Sequence, residues 1–165
     1  MIVVEGANRT GKSTLCRSLS ELLHAKIRHG VGPPRTVLEI VEAHEAEYLC
    51  YGDILDRSMV ISELDYAKFR QPLLDEPVLW KMIEDYLDPR WVLFYCTAVF
   101  KSQHDDESKW YNSKAHLKMI RDERAKIFER YELVIERCES IGLVVIRVTS
   151  PVEDKLTKET ELWTG

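Results

Sequence analysis

Eight residues near the amino terminus, Gly6-Ala7-Asn8-Arg9-Thr10-Gly11-Lys12-Ser13, constrain this chain more than any other stretch. They match G-x-x-x-x-G-K-[ST], the P-loop pattern. The short motif draws its weight from its flanks. Ile2, Val3 and Val4 form an apolar run that reads as a buried strand. Residues 13–23 read as a helix, with Leu15, Leu19, Leu22 and Leu23 at helical spacing. Strand, glycine-containing loop and helix, in that order, are the setting the pattern requires.

Each position has a chemical reason. A polyphosphate is large and highly charged, so backbone must approach it closely. Gly6 and Gly11 permit the turn and the approach because they carry no Cβ. The N–H groups of the loop, residues Gly6 to Thr14, and of the following helix end then point at the anion. Lys12 is placed to reach the β- and γ-phosphates of ATP, and the Ser13 hydroxyl to ligate Mg²⁺.

The remaining composition sets bounds. A chain of 165 residues that is 45% hydrophobic is most simply one domain, 1–165, with a true core. Its formal charge of −5 argues against a protein dominated by duplex nucleic acid, which usually shows a basic excess. Cys16, Cys50, Cys96 and Cys138 stand far apart in apolar surroundings and contain no C-x-x-C pair, so they read as buried free thiols. The absence of a signal peptide or a long apolar run leads to the expectation of a cytoplasmic protein with no membrane partner.

Further along, residues 25–29 read as a second strand and Gly30-Val31-Gly32-Pro33-Pro34 as a loop. Thr36 is placed to cap a helix running to about Leu49, with Val37, Ile40, Val41 and Tyr48 facing inward. Residues 53–56 form a short strand ending on a carboxylate, followed at once by Arg57-Ser58. Residues 62–70 and then a segment opened by Asp75 read as helices, the second tolerating Pro77 in its first turn. Residues 91–96 are the clearest buried strand. Polar residues 101–113 read as an exposed segment and 113–140 as a long helix. Residues 143–146 read as the last strand and 153–163 as a short terminal helix. Alternating strands and helices predict an α/β fold, a five-stranded parallel sheet with helices on both faces. Such sheets bind ligands beyond the carboxyl ends of their strands, where Gly6, His29, Asp56 and the segment after Cys96 converge.

Neither N-K-x-D nor D-x-x-G, which a GTPase would need, occurs in the chain. The segment Val3-Val4-Glu5-Gly6-Ala7-Asn8-Arg9-Thr10-Gly11-Lys12-Ser13-Thr14 resembles the opening of thymidylate kinases and of related phage deoxynucleoside monophosphate kinases. Ile54-Leu55-Asp56-Arg57-Ser58 resembles their D-R motif and is also similar to the E-R-S motif of deoxynucleoside kinases. His29 to Pro34 and Ile61 to Tyr66 resemble phage members.

The resemblance implies the P-loop NTPase fold and ATP- and Mg²⁺-dependent transfer of a phosphoryl group to a nucleoside monophosphate. It implies catalytic roles for Lys12, Arg9, Asp56 and Arg57. Arg9 would stabilise the transferring group, since residues 98–120 contain no arginine to do so from a lid. Arg57 would hold the acceptor phosphate, Ser13 and Asp56 the metal, and His29, Tyr66 and Arg70 would line the acceptor site. Residues 100–113 would form a lid, in which Lys101 and Lys109 read as solvated with Lys101 the better placed to act, and Thr149-Ser150-Pro151 would lie near adenine. The resemblance is compatible with a homodimer. Two departures leave the substrate open: the family's arginine-glutamate-proline signature after the second strand is replaced by Arg28-His29-Gly30, and the chain is short. A kinase acting on a nucleoside 5′-hydroxyl, one acting on a modified base or end in a nucleic-acid polymer, and a silent nucleotide-binding module remain as alternatives.

Overall fold

The computed structural model describes residues 1–7, 10–30, 33–50, 52–69, 71–88, 90–97 and 122–149. Its elements are β1 (Ile2–Glu5), α1 (Lys12–Leu23), β2 (Ile27–His29), α2 (Val37–Tyr48), β3 (Ile54–Asp56), α3 (Met59–Tyr66), a 3₁₀ turn (Ala67–Phe69), α4 (Glu76–Glu84), β4 (Val92–Cys96), α5 (Arg124–Ser140) and β5 (Val144–Val148). The expectations for Asn8, Arg9, Arg70, Lys101, Lys109, the 100–113 lid, Ser150, Pro151, the start of the long helix and the 153–163 helix lie outside the described residues.

The strands form one sheet in the order β2-β3-β1-β4-β5, with every pairing parallel. The expected five-stranded parallel sheet is therefore observed. Because alternate side chains of a strand point to opposite faces, β1 feeds two cores. Val3 joins Leu55, Leu93 and Tyr95 beneath α3, α4 and α5, while Val4 joins Ile54, Cys96, Leu15 and Leu19 beneath α1. The larger core is organised around Tyr86 stacked on Trp91 at 4.1 Å between ring centroids. Burying each large aliphatic side chain there contributes about 1.5–3 kcal/mol.

Local chemistry sets most boundaries. Thr36 caps α2 by accepting from the Glu39 N–H at 3.2 Å. Gly142, at φ +99°, turns the chain out of α5. The helix expected at 62–70 begins three residues earlier, at Met59, because Ser58 serves as its N-cap, and it tightens into 3₁₀ geometry at Ala67. Leu22 and Leu23, expected inside, are each 50% exposed, because only Leu15, Cys16 and Leu19 of α1 reach the sheet. On α2, Ile40 is buried as expected, but Val37 and Tyr48 are exposed and the buried residue near its end is Glu47. All four cysteines are buried free thiols, and burial pushes Cys16 up to about 12 and Cys96 to about 11. Among the described residues, no helix is long and apolar enough to cross a membrane.

Candidate active site

The carboxyl ends of β1 and β3 lie side by side, with Val4 in register with Asp56. The loop after β1 and the turn after β3 are therefore neighbours. Gly6 adopts φ +139°, and a Cβ there would lie 2.5 Å from the Cys96 carbonyl oxygen and 2.9 Å from Thr10 Oγ1. The loop passes so close to the end of β4 that only glycine fits. Gly11, at φ +84°, is the N-cap of α1 and brings no side chain to its first-turn amides, an arrangement suited to an anionic guest. Within the loop, the Ala7 carbonyl accepts from Thr10 Oγ1 at 2.9 Å and from Lys12 Nζ at 2.6 Å. Lys12 is buried, whereas Ser13 and Thr14 are exposed on the first turn of α1. Burial, then the nearby Arg57 charge, lowers the pKa of Lys12, while Glu5 and Asp56 oppose the shift.

Arg57 occupies the left-handed region at φ +76°. For a residue with a side chain this costs about 1–3 kcal/mol and persists only where the surroundings over-determine it. The Arg57 N–H donates to Val4 O at 3.1 Å and the Gly30 N–H to Asp56 O at 2.9 Å. A Cβ on Gly30 would stand 3.0 Å from Arg57 O, so the chain after β2 packs directly on the turn. Arg57 Nη1 donates to Tyr131 Oη at 3.0 Å, and the guanidinium lies 5.7 Å from the centroid of the Tyr66 ring. Burial works against its charge, but Tyr131, Tyr66 and Glu5 outweigh burial and raise its pKa.

The carboxylate of Asp56 is mostly buried, and His29, exposed on the neighbouring strand, places Nδ1 3.2 Å from Asp56 Oδ2. Of the residues singled out from sequence, the fold brings Gly6, Ala7, Thr10, Gly11, Lys12, Ser13 and Thr14 to one end of the sheet. His29, Asp56, Arg57 and Tyr66 meet at the same end.

Sequence reasoning passed over Glu5. It is fully buried at the end of β1, with Oε1 accepting from the Ser58 N–H at 2.6 Å and Oε2 from Tyr131 Oη at 3.2 Å. It thereby joins the loop after β1, the Asp56–Arg57 turn and α5. Burial raises its pKa, against the opposing pull of Arg57 and then of the Ser58 N–H. A carboxylate closing an apolar strand was the available signal. Tyr131 gave none, reading as one apolar position among several on a helix. Asp65 was also missed: on α3 it is fully buried, neither oxygen has a hydrogen-bond partner among the described residues, and burial, then Glu5, pushes it up to about 8.

No family profile and no curated protein sequence matches the chain. Solved structures do. The YorR protein of Bacillus subtilis, in complex with phosphorylated GDP, is similar at 20% identity and a TM-score of 0.68, over 99% of this chain and 94% of that one. Thymidylate kinase from Candida albicans is similar at 18% identity and a TM-score of 0.58, over 99% and 88%. Deoxyadenosine kinase from M. mycoides, with products dCMP and dCDP bound, is similar at 15% identity and a TM-score of 0.57, over 99% and 96%. The chain thus has the α/β fold of these solved proteins, across nearly its whole length.

Proposed function

We propose that this protein is a nucleotide kinase that moves the γ-phosphoryl group of ATP to a (deoxy)nucleoside monophosphate and yields the diphosphate. One observation carries the reading: Glu5, the residue before Gly6, bonds the Ser58 N–H at 2.6 Å and so joins the phosphate loop to the Asp56–Arg57 turn. A donor site and an acceptor site are thereby held in one crevice. The kinases of nucleotides and deoxynucleosides that share the fold support the same class.

The residues fit the groups the reaction needs. The first-turn amides of α1, which Gly11 leaves without a side-chain cap, suit the ATP phosphates. Ser13 and Asp56 offer the hard oxygen donors that Mg²⁺ prefers, and the metal when bound neutralises phosphate charge. Lys12, released from the Ala7 carbonyl, would place its ammonium on the transferred group, with Arg9 supplying further positive charge. Arg57 offers a planar fork to the acceptor phosphate, and the Tyr66 ring beneath it supports that orientation. His29 and Arg70 would line the same acceptor site. An acceptor phosphate oxygen is already nucleophilic at neutral pH, so Asp56 orders metal water or acceptor and need not remove a proton. Residues 100–113 would close over the site and limit ATP hydrolysis.

The test is transfer from ATP to dTMP, dUMP, 5-hydroxymethyl-dUMP, dGMP, dCMP and dAMP, beside the matching nucleosides and a DNA oligonucleotide. Diphosphate from any monophosphate is the expected result. Product only from nucleosides would overturn the monophosphate assignment and make Asp56 a general base. Product only from the oligonucleotide would move the acceptor to a polymer.

A further inference from the structure

We infer that Glu47, on α2 and outside the phosphate loop, is a positioning residue that holds Arg57 in its acceptor-binding geometry. The inference rests on the reading of Arg57 as the ligand of the acceptor phosphate. Glu47 is buried, and both carboxylate oxygens are engaged. Oε1 accepts from the Met59 N–H at 2.6 Å, and Oε2 accepts from Ser58 Oγ at 2.8 Å and Tyr86 Oη at 2.7 Å. Ser58 caps α3, Met59 opens it, and Tyr86 follows α4. One carboxylate therefore ties α2 and the end of α4 to the residues immediately after Arg57.

The position of that tie gives it its consequence. Arg57 is held at φ +76° between two fixed ends. On the strand side, Arg57 N is held by Val4 O and Gly30 N by Asp56 O. On the helix side, two successive amides end on two different buried carboxylates, Ser58 N on Glu5 and Met59 N on Glu47. If the Met59 and Ser58 bonds are lost, the first turn of α3 can unwind and Arg57 can relax toward negative φ, which swings its guanidinium away from Tyr131 and Tyr66. Without it, the Met59 N–H and the hydroxyls of Ser58 and Tyr86 would each lose a buried acceptor. A carboxylate suits the three donors because both its oxygens accept, with lone pairs to spare. Glutamine keeps the shape and one acceptor but turns the other end into a donor.

The experiment measures equilibrium binding of the accepted monophosphate and of a non-hydrolysable ATP analogue. It compares the intact chain with Glu47→Ala, Glu47→Gln and Tyr86→Phe, and follows amide exchange across residues 57–59 and 12–23. Loss of an orienting shell commonly costs 10- to 100-fold in the group it orients, so Glu47→Ala is expected to weaken monophosphate binding about tenfold or more. Binding of the ATP analogue should stay within about twofold. Glu47→Gln should fall between, Tyr86→Phe should lose less, and exchange should quicken at 57–59 but not at 12–23. Unchanged monophosphate binding, or equal loss of both ligands, would overturn the inference. If Glu47→Ala does not fold, the two near-isosteric variants carry the comparison. A wild-type protein that binds no monophosphate would overturn the acceptor-site reading itself, and this inference with it. That outcome is distinct from one in which wild type and variants bind alike.

Discussion

Arg57 and Tyr131, separated by 74 positions in the chain, are joined by a 3.0 Å hydrogen bond from Nη1 to Oη. The same hydroxyl donates to Glu5 at 3.2 Å, so one phenol couples Arg57 to the residue that precedes Gly6. Tyr131→Phe keeps the ring, which stacks near Tyr95 and meets Tyr66 edge-on, and removes only the hydroxyl. It leaves two buried polar groups short of a partner, at a cost of about 1–3 kcal/mol in stability. The KM for the acceptor should rise more than the KM for ATP. Equal effects on both, measured by steady-state kinetics, would show that the hydroxyl does not act through Arg57.

Lys12→Ala should lose about 10²-fold or more in turnover, the usual effect of removing one preorganised partner of the transition-state charge. The fold should survive. Burial lowers the pKa of Lys12, so holding it charged costs stability in the absence of nucleotide, and the variant should melt no lower than the parent. A calorimetric scan beside an activity assay checks both halves, and full activity would sink the assignment.

Gly6→Ala combines two defects. The new Cβ would meet the Cys96 carbonyl oxygen at 2.5 Å, a backbone atom that cannot swing aside, and alanine is strained at φ +139°. A loss of about 1–3 kcal/mol in stability is expected, with loss of ATP binding. Retained affinity by titration calorimetry would show that the loop does not cradle phosphate in this form.

Asp65 predicts a pH dependence of stability. Its carboxyl titrates near 3.8 in an unfolded chain and near 8 in the fold, because of burial first and the charge of Glu5 second. Across that window the folded state holds a proton that the unfolded state has released, so this residue's contribution to stability falls as pH rises from about 4 to about 8. Asp65→Asn removes the dependence. The variant should gain stability over wild type, on the order of a few kcal/mol by pH 8 to 9, and should match it near pH 4. Parallel urea-melt profiles against pH, with no convergence at low pH, would contradict this account.

His29 and Asp56 face each other in register across β2 and β3, 3.2 Å apart. The histidine is exposed, and such a pair is worth at most about 1 kcal/mol. His29→Ala should therefore lower activity by no more than about fivefold, whereas Asp56→Asn should cost far more. A histidine variant as damaged as the aspartate one would give His29 a direct part in the reaction.

The strand, glycine loop and helix that open the chain could be read without the structure because their geometry is local: Gly6, Gly11, Lys12 and Ser13 lie within one turn and one helix end. The parallel sheet was legible for a related reason, since apolar runs such as residues 91–96 alternating with helical spacing admit few other arrangements. Side-chain direction was less so. Leu22, Leu23 and Val37 have helical spacing and still face outward, because spacing places residues on a face but does not say how much of that face a neighbour covers. The buried charges were illegible for a stronger reason. Glu47 and Asp65 look like ordinary polar positions, Glu5 differs only in closing an apolar strand, and the partners of Glu5 and Glu47 lie up to 126 positions away. Local chemistry written in the sequence determined the glycine loop after β1, the strands and the sheet. Only the tertiary structure decided that Arg57 would be held at positive φ between two buried carboxylates, because that restraint exists only once β1, α2, α3 and α5 have packed together.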